Sequence, residues 1–165
     1  MMQFINRPKK DDERGFTLIE ILVVIGIIAI LAAVVLIAIN PARQFAQAND
    51  SQRNSNVNAI LNAVGQFMAD NQGELPGGGI PSDDSSDTGN FVVIGDGAGE
   101  ADLCDALVPA YISALPVDPT AGDDAPIDDC GVAYDTGYEI IQDDTTNRIS
   151  VLADGQITTE IIVTR

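Results

Sequence analysis

Residues 15–39 read GFTLIEILVVIGIIAILAAVVLIAI, and the nineteen positions 21–39 hold neither a charge nor a polar side chain. At about 1.5 Å per residue, a helix of that length covers roughly 28 Å, close to the hydrocarbon thickness of a bilayer. The stretch therefore predicts a membrane-spanning helix rather than the core helix of a soluble domain. Glu20 stands at the entrance to this run. A carboxylate costs about 2.5–3.5 kcal/mol at the centre of a span and less near its edge, so this one calls for a partner.

On the N-terminal side, Arg7, Lys9, Lys10 and Arg14 precede the run, whereas beyond Asp70 the basic residues are Arg148 and Arg165. By the positive-inside rule the N-terminus stays in the cytoplasm as a single-pass inner (cytoplasmic) membrane protein, and the C-terminal part is exported. Acidic residues count little in that rule, so Asp11, Asp12 and Glu13 do not reverse it. An ordinary secretory signal places its cleavage site after the apolar stretch, which is then discarded. Here a polar leader, KKDDERG, lies directly before the apolar stretch, and no Ala-x-Ala-like site occurs near Ile39. Cleavage after Gly15 would keep the helix and free an α-amino group on Phe16, four residues before Glu20. On a continuous helix that ammonium lies one turn from the carboxylate, within a subunit or between neighbours, and each neutralises the other.

The string Gly15-Phe16-Thr17-Leu18-Ile19-Glu20 followed by ILVVIGIIAILAAVV closely resembles the class III signal of type IV pilins and type II secretion pseudopilins, over residues 9–40. The resemblance implies that a prepilin peptidase cuts between Gly15 and Phe16 and that Phe16 is N-methylated. It implies that Glu20 registers an incoming subunit against the N-terminus of one already assembled. The fold it implies is α+β, with a long N-terminal helix whose apolar half protrudes and whose second half packs on a small antiparallel sheet. The partners it implies are further copies and minor pilins in an extracellular or periplasmic filament, the assembly machinery of a pilus or secretion system, and membrane lipid before assembly. Gly26 and Pro41 are the points where such a helix would kink or loosen.

Past Ile39 the chain turns polar at Asn40-Pro41, and residues 42–72 hold no further Pro and a single Gly, Gly65. Pro41 lacks an N–H donor and is expected to kink or locally unwind a continuing helix. Val57, Ile60, Leu61, Val64, Phe67 and Met68 recur at helical spacing and form one apolar stripe. Residues 42–56 are too polar for lipid and read as a stem. Gly73 and Pro76 end the helix near Asn71 or Gln72, which makes a rod over residues 16–71 of about 80 Å. The organisation expected is a cleaved leader at 1–15, a transmembrane and filament-core helix at 16–40, its amphipathic continuation at 41–72 and an acidic head at 73–165.

In the head, residues 73–90 are rich in Gly, Pro, Ser and Asp and read as a loop. Residues 91–94 suit a strand, and residues 101–111 a short helix carrying Cys104. Residues 138–143, 148–153 and 156–163 are rich in β-branched side chains and separated by turn signals, so they predict a three-stranded antiparallel meander. Ile157, Ile161 and Val163 fall on one face of the last strand and Ile149 and Val151 on one face of the middle one. This sheet is the available cover for the stripe that starts at Val57.

Two cysteines, Cys104 and Cys130, lie in the exported part. Paired in an oxidising compartment they close a loop worth roughly 3–4 kcal/mol in the chain-entropy model; two buried free thiols are the other reading. Ala114-Leu115-Pro116-Val117-Asp118-Pro119 resembles a segment common in pseudopilins, in whose major members a nearby loop binds calcium. Asp118, Asp123, Asp124, Asp128 and Asp129 crowd into twelve residues, and calcium takes six to eight oxygens. The Trp-Gly usual after the Asp-Pro is absent, EF-hand spacing is absent, and a solvated acidic loop is the competing reading.

The 25 Asp and Glu against 8 Lys and Arg give a net charge of −17, and there is no His. Phosphates need a basic surface, so nucleic acid is not an expected partner. The P-loop, dinucleotide and Ser/Lys signatures are missing, which points away from an enzyme. Two classes fit: a structural filament subunit, and a membrane-anchored binding module with a calcium-dependent acidic head that does not polymerise.

Overall fold

The computed structural model describes residues 15–83 and 90–165. The leader expected at 1–15 thus lies outside the described residues except for Gly15, as do residues 84–89 of the loop that follows the second helix. The chain divides into two compact units, Met1–Pro41 and Ala42–Arg165.

Among the described residues the first unit contains one helix, α1 (Leu18–Ala38), with Thr17 as its N-cap and Ile39 as its C-cap. Within it, residues 18–36 have a mean hydropathy of 3.2 and none of them is buried. It is apolar on every side, so nothing in the fold of this unit satisfies its surface. Gly26 lies inside unbroken helix. A single glycine costs about 1 kcal/mol relative to Ala but keeps its N–H donor, so it does not interrupt the ladder by itself.

The helical pattern stops at Ile39, which is extended (φ −100°, ψ 111°), and resumes with α2 (Pro41–Asp70). This corrects the expectation of one rod over 16–71. Proline disfavours the α conformation in the residue before it, here Asn40, while its own missing N–H costs nothing at the first position of a helix. The local unwinding expected at Pro41 thus falls on the residues just before it, and Pro41 itself opens α2.

In the second unit, Val57, Ile60, Leu61 and Val64 of α2 are each no more than 3% exposed. Phe67 and Met68 are half-buried against the same core. Burying each of the aliphatic side chains contributes about 1.5–3 kcal/mol. The helix ends in a left-handed residue, but that residue is Gln72 (φ 58°), one before Gly73 (φ 91°). The N–H of Gly73 closes the end on the carbonyl of Met68 at 2.8 Å, the six-to-one bond of a Schellman motif.

A single 3₁₀ turn (Pro76–Gly78) leads to β1 (Ser82–Asp83) and, further along, to β2 (Val92–Gly95). A one-turn helix, α3 (Cys104–Leu107), replaces the longer helix expected over 101–111, although Leu103 and Leu107 are both fully buried. The C-terminal meander is present as β3 (Asp135–Asp143), β4 (Ile149–Asp154) and β5 (Glu160–Thr164). β3 and β4 pair antiparallel with Ile140 opposite Val151, and β4 and β5 with Val151 opposite Val163. On the far side of β3, β2 pairs antiparallel and the short β1 parallel.

Tyr138, Ile140, Ile149, Val151 and Ala153 meet the α2 stripe in one core, with Ile161 and Val163 at its margin. The architecture is α+β: an apolar N-terminal helix, then a second helix packed on an antiparallel sheet. Ile157 does not join that face. It is 47% exposed in the turn before β5, because residues 156–158 are committed to another partner described below.

Candidate functional site

The entrance to α1 is built from four residues. Gly15 and Phe16 precede the helix in open chain, and Phe16 is 83% exposed. A side chain added at Gly15 would meet no atom within 4 Å, so this fold does not itself require glycine there. Helix α1 begins at Leu18, so Phe16 is not one helical turn below Glu20 as a continuous helix would have placed it.

The carboxylate of Glu20 instead closes a capping box with Thr17. Its Oε2 accepts the Thr17 N–H at 2.8 Å and the Thr17 hydroxyl at 2.7 Å, while the Thr17 oxygen accepts the Glu20 N–H at 3.3 Å. Two of the otherwise orphaned donors of the first turn are satisfied within the chain, and the negative charge sits at the positive end of the helix. Thr17 is a capping residue whose role was not anticipated. The signal was present, since Thr-x-x-Glu ahead of an apolar run is the capping-box pattern.

A second polar constellation fastens the supposed stem to the head. Arg53, on α2, is 2% exposed and Asp118, in the loop before β3, is 5% exposed. Arg53 Nε donates to Asp118 Oδ2 at 2.6 Å and Nη2 donates to Oδ1 at 2.9 Å, a two-pronged ion pair. Arg53 Nη2 also donates to the Thr120 hydroxyl, and Nη1 to Asp50 Oδ1 at 2.9 Å. Asp50 in turn accepts the backbone N–H groups of Gln156, Ile157 and Thr158, at 2.7, 2.8 and 3.3 Å. These bonds hold residues 156–158 in a turn and delay β5 to Glu160.

Asp118 Oδ1 accepts three more donors, the N–H and hydroxyl of Thr120 and the N–H of Ala121, at 2.8, 3.0 and 2.9 Å. One turn further along α2, Asn56 donates to the Tyr138 hydroxyl at 2.8 Å and to the Val117 carbonyl at 3.1 Å. The titration behaviour follows. Burial alone would raise the Asp118 carboxyl, but Arg53, Thr120 and Ala121 together hold it below the usual range. Asp50 falls to about 2, chiefly through the Gln156 N–H. At the far end of the sheet, the C-terminal Arg165 exchanges both backbone bonds with Ile149 and reaches Asn58 and Asn62 on α2.

Cys104 and Cys130 are joined as a disulfide, which ties α3 to the acidic loop. The acidic residues of that loop do not converge. Asp118 points into the Arg53 pair, Asp123 accepts the N–H of Asp135 at 3.0 Å, and Asp129 that of Gly131 at 3.0 Å. Asp124 and Asp128 are exposed. Among the described residues, no group of three or more His, Cys, Asp or Glu side chains is gathered so as to hold a metal ion. The groups around the buried carboxylate of the set are hydrogen donors, whereas a calcium site gathers oxygen lone pairs.

An apolar helix exposed along residues 18–36, with one capped carboxylate at its start, followed by a second helix packed on an antiparallel sheet, is a pilin-like arrangement. Residues 10–36 match the family model for the prokaryotic N-terminal methylation motif, the prepilin-type signature of type IV pilins and pseudopilins. That match spans α1 through Leu36, together with Gly15, Phe16, Thr17 and Glu20. No curated protein and no solved structure matches the chain.

Proposed function

We propose that this protein is a filament subunit of the type IV pilus or type II secretion pseudopilus class. It is stored in the membrane through α1, cut between Gly15 and Phe16, methylated on Phe16 and then polymerised by packing α1 among copies of itself. The observation that carries this reading is α1: none of its residues 18–36 is buried, and it lies within the methylation motif. Lipid satisfies that surface before assembly, and neighbouring α1 helices satisfy it afterwards.

Glu20 supplies register. One carboxylate oxygen is already occupied by Thr17; Oε1 takes no bond among the described residues and is available to the ammonium of Phe16 on an adjacent subunit. Pairing the two charges removes most of the cost of holding either one in an apolar filament core. The charge also reports misalignment, since a subunit one turn out of register leaves both groups unpaired.

Glu20→Val tests this. The variant is expected to insert in the membrane as the wild type does and to yield no filaments in the sheared fraction by electron microscopy. Normal filaments from Glu20→Val would remove the charge pair from the mechanism.

A further inference from the structure

We propose that the Arg53 guanidinium is the resident cation of the 117–124 loop, and that this loop is organised without calcium. The inference stands on the head alone and does not depend on whether the protein polymerises.

Five loop aspartates within twelve residues look like a metal site in the sequence, yet the structure gives the buried member to an arginine. Both oxygens of Asp118 are engaged, Oδ2 by Arg53 Nε and Oδ1 by Arg53 Nη2, Thr120 and Ala121. Four of the five donors crowd onto Oδ1 and the guanidinium spans both oxygens, so the carboxylate's charge is already met by a cation and hydrogen donors rather than left facing other oxygens. The Thr120 hydroxyl is turned the same way, accepting from Arg53 and donating to Asp118.

The loop therefore receives its positive charge from α2 along a covalent side chain. The same guanidinium also holds Asp50, whose carboxylate fixes the turn at 156–158. One cation thus orders two segments far apart in sequence: the loop that enters β3 and the turn that enters β5. A head built this way is indifferent to the calcium of its surroundings. It is dependent on a residue of the stem that carries no part of the apolar stripe.

The experiment uses the full chain in detergent micelles, with backbone amide exchange read at Thr120 and Ala121. Wild-type protection at these two amides is expected to be the same in excess chelator and in about 1 mM calcium, a concentration that fills extracellular calcium modules. Arg53→Met is expected to lose about tenfold or more of that protection, as a local opening does. Should Arg53→Met not fold, Arg53→Lys is read the same way, since a point charge without the fork cannot make both bonds to Asp118. A saturable gain of wild-type protection on adding calcium overturns the proposal. Unchanged protection of Thr120 and Ala121 in the variant also overturns it.

Discussion

Replacing Arg53 by Met keeps most of the apolar stem of the side chain and removes the positive charge between Asp50 and Asp118. Four contacts go with it, two to Asp118, one to Thr120 and one to Asp50. Both partners of the main pair are 3% exposed in their side chains, so water does not replace what is lost. A hydrogen bond to a charged group is worth about 1.5–3 kcal/mol and such bonds within one network are not additive. Removing one partner of a buried ion pair costs about 3–5 kcal/mol. The Thr120 and Ala121 donors still face Asp118 in the variant, although they open more often, which places the loss near the lower limit, at about 3 kcal/mol. For a domain of this size that corresponds to roughly 10 °C in melting temperature. The assay is urea unfolding of the detergent-solubilised chain at pH 7, followed by the near-ultraviolet circular dichroism of Tyr134 and Tyr138. Arg148→Met, at an exposed position of the β3–β4 turn, serves as control and is expected to stay within about 0.5 kcal/mol of wild type. A loss for Arg53→Met no larger than that of the control would refute the claim that the pair holds stem and head together.

The pH dependence of the head follows from Asp50 and Asp118, both held low and so stabilising above the usual carboxylate range and less so in acid, and from Glu139. Asp50 is depressed to about 2 by the turn amides, so its contribution is fully present above the unfolded value of about 3.8 and is lost as pH falls through 2. Glu139 is raised by burial and by Asp154, which has the opposite sign: its penalty is present at neutral pH and is relieved on acidification. Acid titration of the melting temperature is expected to fall below about pH 4 in wild type and to fall less steeply in Asp50→Asn; identical slopes would contradict the role given to the Gln156, Ile157 and Thr158 amides. Reducing the Cys104–Cys130 bond, or replacing both cysteines by Ala, is expected to cost about 3–4 kcal/mol in the same urea assay, and no change on reduction would show that the bond constrains nothing.

The parts of this molecule that were legible from its sequence are those governed by local period and composition. The apolar run of α1, the 3.6-residue stripe from Val57 to Val64 and the β-branched runs and turn signals of β3 and β4 each depend on neighbours along the chain. So does the end of α2, where left-handed backbone begins at Gln72, one residue before Gly73. The start of β5 was not legible, because Ile157 is held out of the strand by Asp50, 107 positions away. Arg53 and Asp118 were hidden for the same reason. One lay in a segment too polar to read as a core face, the other in a cluster that resembled ligands, and their pairing depends on how α2 docks. Thr17 is the exception. Its role was written in the three-residue spacing to Glu20, and it was overlooked because Glu20 looked like a charge in need of an ammonium rather than a cap.

The filament function proposed for this protein rests on α1 being retained when the precursor is trimmed. Intact mass and N-terminal sequencing of the protein extracted from membranes or filaments test that directly. The account predicts a chain that begins at Phe16 and carries one additional methyl group on its amine. A mature chain that begins beyond Ile39, or one that still carries its leader in assembled material, would contradict it.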